Sequence, residues 1–168
     1  MQSNFEDKSV GMGTNWLNDV EMRAWRGMLS AHSQLYNQLD EELVKAHGIT
    51  FAEYEVLVHT SEGPGGSVRM ASLAEATLVS RSGLTRRVQH LVAVGLLERR
   101  RCKEDKRGTF AVLTPLGWEK LRAAAATHVR GIREHLISKL SRAELEALAG
   151  ALEKVVDPSS EPGCRMPR

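Results

Sequence analysis

The stretch SLAEATLVSRSGLTRRVQHLVAVGLLERRRCKEDKRGTFAVLT, Ser72 to Thr114, decides how this chain is read. Ser72 and Glu75 stand at capping-box spacing, where each side chain can satisfy a free amide at a helix start, and they predict a short helix from Leu73 to Leu78. Val79-Ser80 then reads as a brief turn, and a second helix is expected from about Arg81 to Val94. Its apolar residues Leu84, Val88, Leu91 and Val92 share one face, and Gly95 stands where a left-handed C-terminal cap is favoured. Two short helices joined this tightly suggest a helix-turn-helix. Beyond them, Leu96 to Cys102, a polar turn from Lys103 to Gly108, and Thr109 to Leu113 read as a β-hairpin with a charged tip.

At roughly 100° per residue, Ser82, Arg86 and Gln89 point away from the apolar face of the second helix, with Thr85 and Arg87 on the flanks and Gly83 leaving room for close approach. A solvated surface helix would look similar. A recognition helix needs this arrangement, because the major groove admits a helix whose first turns meet base edges and whose N-terminal amides can meet phosphate. The hairpin adds Arg99, Arg101, Lys103, Lys106 and Arg107 beside that helix, and a charged tip can reach a neighbouring minor groove. Asp105 reads as a turn residue accepting backbone amides and as a carboxylate that orients an arginine. Charge follows the same map. Residues 80–107 hold nine Lys/Arg and three acids, a local +6, whereas the remaining 14 basic and 18 acidic residues give −4, although the whole chain is only +2. Such a patch points to a polyanion.

Working outward, Trp16, Leu17, Val20, Ala24, Trp25, Met28, Leu29, His32, Leu35, Tyr36, Leu39 and Leu43 recur every three or four residues, predicting a long amphipathic helix that ends at Gly48. Thr50 and Glu53 form a capping box for a following helix, which Gly63-Pro64-Gly65-Gly66 ends. On the other side, Thr114 is a natural N-cap and Pro115 suits the first helical position of a helix running to about Leu140. Ser141 with Glu144 opens a last helix striped by Leu145, Leu148, Leu152 and Val155. Residues 1–14 and 157–168 lack periodicity and are expected to be disordered tails. In 168 residues, 42% hydrophobic and only 5% aromatic, this describes one mainly α (α+β) domain rather than a sandwich or barrel. No apolar run is long enough to span a membrane or to form a signal-peptide core, so a cytoplasmic protein is expected.

In order along the chain, Leu73-Ala74-Glu75, Thr85-Arg86 with Leu91, Gly95-Leu96-Leu97-Glu98-Arg99, Asp105-Lys106-Arg107 and Leu113-Thr114 with Gly117 resemble the multiple-antibiotic-resistance type (MarR) family of transcriptional regulators. The resemblance covers roughly Trp16 to Val156. It implies a dimeric winged helix-turn-helix protein with a DNA-binding lobe at about 50–114 and dimerisation helices at 15–47 and 115–156. Carried onto this chain, it implies that Ser82, Thr85 and Arg86 face the major groove and that Arg107, positioned by Asp105, enters the minor groove. The candidate DNA contacts are Arg81, Ser82, Thr85, Arg86, Arg87, Gln89, Lys106 and Arg107. The expected function is sequence-specific binding of a pseudo-palindromic duplex operator by a homodimeric repressor.

A helix of some thirty residues extends about 45 Å, too far for one small domain to cover its apolar face, which independently argues for a second subunit. The resemblance further implies release from DNA by a small aromatic or anionic effector. Trp25, His32 and Tyr36, at i, i+7 and i+11 on the first long helix, are candidate ligand contacts, although the same spacing serves a dimer seam. Other classes find less support. GxSxG, HExxH and GxxxxGK[ST] are all absent, so no enzyme or cofactor is expected. His128 and His135 lie two turns apart without a nearby Cys or paired carboxylate, so no metal site is expected. Redox sensing would rest on Cys102 at the hairpin, which reads better as a packed strand residue; a metal-responsive regulator and a protein adaptor of the same fold are the remaining alternatives.

Overall fold

Helix α1, Asp19–His47, is set at its start by Asn18, whose side-chain oxygen accepts from the amides of Val20 at 2.9 Å and Glu21 at 3.0 Å, while Glu21 Oε2 accepts from the Asn18 amide at 2.8 Å. The helix therefore begins three residues after Trp16, because this cap, overlooked in the sequence, satisfies the first free amides. The computed structural model describes residues 15–76, 81–101 and 109–156, without the side chain of Arg81. It divides into two units, 1–33 and 34–168. In the first, the large apolar side chains Trp16, Leu17, Val20, Trp25, Met28 and Leu29 are exposed.

The second unit holds the hydrophobic core. Here α2, Phe51–Glu62, opens on the expected Thr50–Glu53 capping box, and Gly63 ends it. Strand β1, Ser67–Arg69, leads directly into α3, Met70–Ala76; α4, Arg81–Ala93, follows, then β2, Leu97–Arg101, and β3, Thr109–Leu113. The sheet is antiparallel in the order β1-β3-β2, with Val68 opposite Ala111 and Arg99 opposite Ala111 on the other side. Two expectations are corrected. The hairpin acquires a third strand, too short to show alternation in sequence, and this strand starts α3 at Met70 so that Ser72 lies inside the helix rather than at its cap.

After α4 the chain reverses through Gly95, whose φ of 76° is the left-handed conformation that the sequence led us to expect. The Leu96 amide donates to Leu91 O at 2.9 Å and the Gly95 amide to Val92 O at 3.0 Å, the paired bonds of a Schellman cap. Thr114 joins this turn to the next helix, α5, Pro115–His135. Its hydroxyl donates to Gly95 O at 2.7 Å and accepts from the Gly117 amide at 2.9 Å. Gly117 is required there, since a β-carbon would run into the Leu96 carbonyl. α5 stops five residues short of the expected Leu140. Leu136, at φ −125° and ψ −63°, leaves the helical region, and a 3-10 turn, Ile137–Lys139, follows. Helix α6, Arg142–Leu152, begins on the expected Ser141–Glu144 capping box, whose Ser141 hydrogen bonds hold the Glu144 carboxyl below its usual range. It has no buried residue.

The core packs Leu43 of α1 and Ile49 against Val56 and Leu57 of α2, Leu73 of α3, Leu84, Val88 and Leu91 of α4, Leu97, Ala111 and Leu113 of the sheet, and Leu121 and Ala124 of α5. Polar ties fix the helices around it. Asp40 Oδ1 accepts from the Phe51 amide at 2.7 Å, and Lys120 Nζ donates to the His47 carbonyl at 3.0 Å. His47 Nε2 lies 2.8 Å from Thr127 Oγ1. Burial, reinforced by Lys120 and Arg130, lowers the His47 pKa. His128, buried with its ring 4.9 Å from Tyr54 and 5.3 Å from Phe51, is likewise lowered by burial.

Candidate nucleic-acid interface

Burial divides α4 as its periodicity predicts. Leu84, Val88 and Leu91 are sealed in the core, whereas Ser82, Thr85, Arg86 and Gln89 are exposed on the opposite side. Four of the eight candidate DNA contacts are thus brought onto one surface by a single short helix. Arg87 is only half-buried and turns toward the protein. The backbone of Arg81 begins α4, but its side chain lies outside the described residues. Lys106, Arg107 and Asp105, with Cys102, Lys103 and the rest of the hairpin tip, also lie outside them, as do Val79-Ser80 and both tails. The strand leading to that tip carries Arg99, Arg100 and Arg101, all exposed, with Arg100 paired to Glu98. On the opposite edge of the sheet, Arg69 lies 5.3 Å from the centre of the Phe110 ring.

Behind the exposed face, a cavity of about 900 Å³ opens between α1, α2 and α4. Tyr36 and Asp40 supply one wall, Glu53 another, and Arg86, Arg87 and His90 come from α4. Of the three expected ligand contacts, only Tyr36 is placed here. Trp25 and His32 belong to the other unit, where both are exposed. Burial, together with the Glu55 and Asp40 carboxylates, raises the Tyr36 pKa, so its phenol keeps its proton. Burial also raises the pKa of Glu55.

Glu53 has two duties that its capping role did not reveal. One oxygen accepts from the Thr50 amide at 2.9 Å, closing the cap, while the other lies 2.6 Å from His90 Nδ1. A carboxylate at the start of α2 thereby grips the last turns of α4 across the cavity. Sequence spacing could have found Asp40, one turn beyond Tyr36 on the same helix face, but not Glu53 or His90, whose pairing is 37 residues apart.

A short helix with a polar outer face, set by a tight turn onto a three-stranded sheet whose hairpin carries arginines, defines a winged helix-turn-helix protein. The MarR family model matches residues 47–108, a segment that holds α2, β1, α3, α4 and β2 and ends before β3. AbsC, a MarR family regulator from Streptomyces coelicolor, is 39% identical, with 84% of this chain and 95% of AbsC covered and a TM-score of 0.77. Sco3205, from the same organism and solved in complex with DNA, is 33% identical, with 87% and 97% covered and a TM-score of 0.78. The transcriptional regulator PecS of Dickeya dadantii is 26% identical over 81% of this chain and 84% of its own length. The chain belongs to the MarR family of transcriptional regulators. Among the described residues, no helix is long and apolar enough to cross a membrane.

Proposed function

We propose that this protein is a cytoplasmic, homodimeric transcription regulator that binds a pseudo-palindromic duplex operator and acts as a repressor released by a small aromatic or anionic ligand. The observation that carries the reading is the exposed Ser82, Thr85, Arg86 and Gln89 face of α4, backed by a sealed apolar face that fixes its orientation. The lobe from about 50 to 114 reads DNA. Residues 15–47 and 115–156 supply the dimer contacts, and two copies of α4 related by a two-fold axis meet successive major grooves. Arg86 and Gln89 read base edges, while Lys106 and Arg107 hold the backbone and the minor groove, with Asp105 orienting Arg107. No step of this function is catalytic.

The cavity supports the ligand half of the reading. It sets a neutral phenol and two guanidinium groups, those of Arg86 and Arg87, around a space large enough for a drug-sized molecule. Arg86 belongs to both surfaces, so a carboxylate bound to it competes with the base it would read. Linkage then requires DNA to weaken ligand binding by the same factor.

Selection of bound sequences from random duplexes at stated salt tests the DNA half, with an inverted repeat expected. On the selected operator, Arg86→Ala is expected to cost about 1–3 kcal/mol and relax base preference, while Lys106→Ala weakens all sequences evenly and reduces the salt slope by about one. Equal affinity of the unmodified protein for operator and scrambled DNA refutes the reading. Titrating phenolic carboxylates into the complex tests the other half, and unchanged release in Tyr36→Phe removes Tyr36 from the site.

A further inference from the structure

Away from the cavity and the outer face of α4, the last turn of α5 meets the second half of α1 at three potential metal donors, Glu42, Glu134 and His135. One donor atom from each lies within 4.8 Å of the other two. We propose that these residues form a divalent transition-metal site, with Zn2+ the ion that best suits it. The sequence expectation of no metal site rested on spacing, which showed Glu134 beside His135 but not Glu42, 93 residues distant. Folding brings Glu42 Oε1 to 2.6 Å from His135 Nε2.

Three observations converge on this cluster. The second oxygen of the same carboxylate, Glu42 Oε2, is buried and has no hydrogen-bond partner. A carboxylate oxygen withdrawn from water without a partner is costly, and a cation beside it supplies what is missing. The carboxylate also has a seat. A β-carbon on Gly131, one turn before His135, would lie 2.7 Å from Glu42 Oε2 and 2.6 Å from Leu39 Cδ2, so the glycine gives the carboxylate room in its present position against α5. Finally, one imidazole and two carboxylates form a borderline donor set that suits Zn2+ better than an all-oxygen cation such as Ca2+ or a thiolate-seeking one such as Cu+.

Donor distances of about 2.0–2.2 Å require the three atoms to close toward one another, and Glu134, the exposed member, is the one free to swing. Ligation through His135 Nε2 uses that nitrogen's lone pair and ionised carboxylates, so the ion takes the place of the His135–Glu42 hydrogen bond. Three protein ligands leave a fourth position for water. Bound there, the ion pins the C-terminal end of α5 to α1.

The test uses the full chain, stripped of metal and titrated calorimetrically with Zn2+, with Co2+ as the spectroscopic probe. One ion per chain is expected, with a rise in Tm and the weak d–d absorption of a nitrogen- and oxygen-ligated cobalt. His135→Gln should weaken binding at least about tenfold, and Glu134→Gln by a smaller factor. Because Glu134 is exposed, Glu134→Gln keeps the metal-free Tm and decides the matter if His135→Gln folds poorly. Absence of saturable binding, unaltered affinity in the folded variants, or a thiolate-to-cobalt charge-transfer band, which assigns the ion to a cysteine, overturns the proposal.

Discussion

Helices α4 and α6 are built on the same pattern and meet different fates. In α4, Leu84, Val88 and Leu91 are at most 1% exposed, whereas in α6, Leu148 and Leu152 are 38% and 41% exposed. Residues 15–33 resemble α6, with Trp25 at 49% and Leu29 at 48% exposed. An apolar stripe therefore states that a helix face is to be covered, but not whether the cover comes from the same chain. For α4 the sheet, α2 and the core supply it. For α6 and the start of α1, the proposed second subunit does so, and the apolar area left open is the kind that a homodimer buries.

This contrast can be broken most sharply in the core. Leu91→Ala should destabilise the protein by about 2–5 kcal/mol, from lost burial and the cavity left behind, as read by chemical denaturation. The loss should be the same at every protein concentration, because Leu91 is covered from within the chain. A concentration-dependent loss would erase the distinction between the two kinds of stripe.

Leu148→Glu on α6 should act in the opposite way, leaving the dilute monomer's secondary structure intact and weakening self-association by about 2 kcal/mol or more. Sedimentation across a concentration series checks it. A wild-type chain that remains a stable folded monomer at micromolar concentration removes the second subunit from the account. Thr50→Ala, at the junction of α1 and α2, should cost about 1 kcal/mol, since it empties one side of a capping box but leaves the Glu53–His90 contact available.

The smallest effect concerns pH. Burial lowers the pKa of His128 below its ordinary value of 6.5, so the unfolded chain takes up that proton more readily than the folded one. Stability is therefore complete above about pH 6.5 and declines as pH falls below it, the same sign as expected from His47. Denaturation between pH 7 and about pH 5.5 should show a shallower decline in His128→Phe than in the unmodified chain. An identical slope would show that His128 adds nothing to the protein's acid sensitivity.

The legible parts of the fold were those governed by neighbours in sequence. Thr50 with Glu53, Ser141 with Glu144, Gly95 and Thr114 all act within one helical turn, and each is where its local chemistry put it. The buried and exposed faces of α4 follow from periodicity alone, which is why Ser82, Thr85, Arg86 and Gln89 could be named in advance. β1 was missed because three residues show no alternation, and only pairing with β3 makes them a strand. The end of α5 was missed because the apolar spacing continues through Leu136 and Leu140 after the backbone has turned.

The amino-acid sequence by itself determined the helices, their polar and apolar sides, the concentration of positive charge in residues 80–107 and the side chains on the outer face of α4. Those properties depend on side chains three or four residues apart, or on sums over a segment. Only the tertiary structure decided that Glu53 would hold His90, that Arg86 and Arg87 would face a cavity with Tyr36, and that Glu42 would lie in the notch at Gly131 against His135. Each of these joins residues tens of positions apart, and such distances are set by how the helices pack around the shared core, which no local pattern encodes.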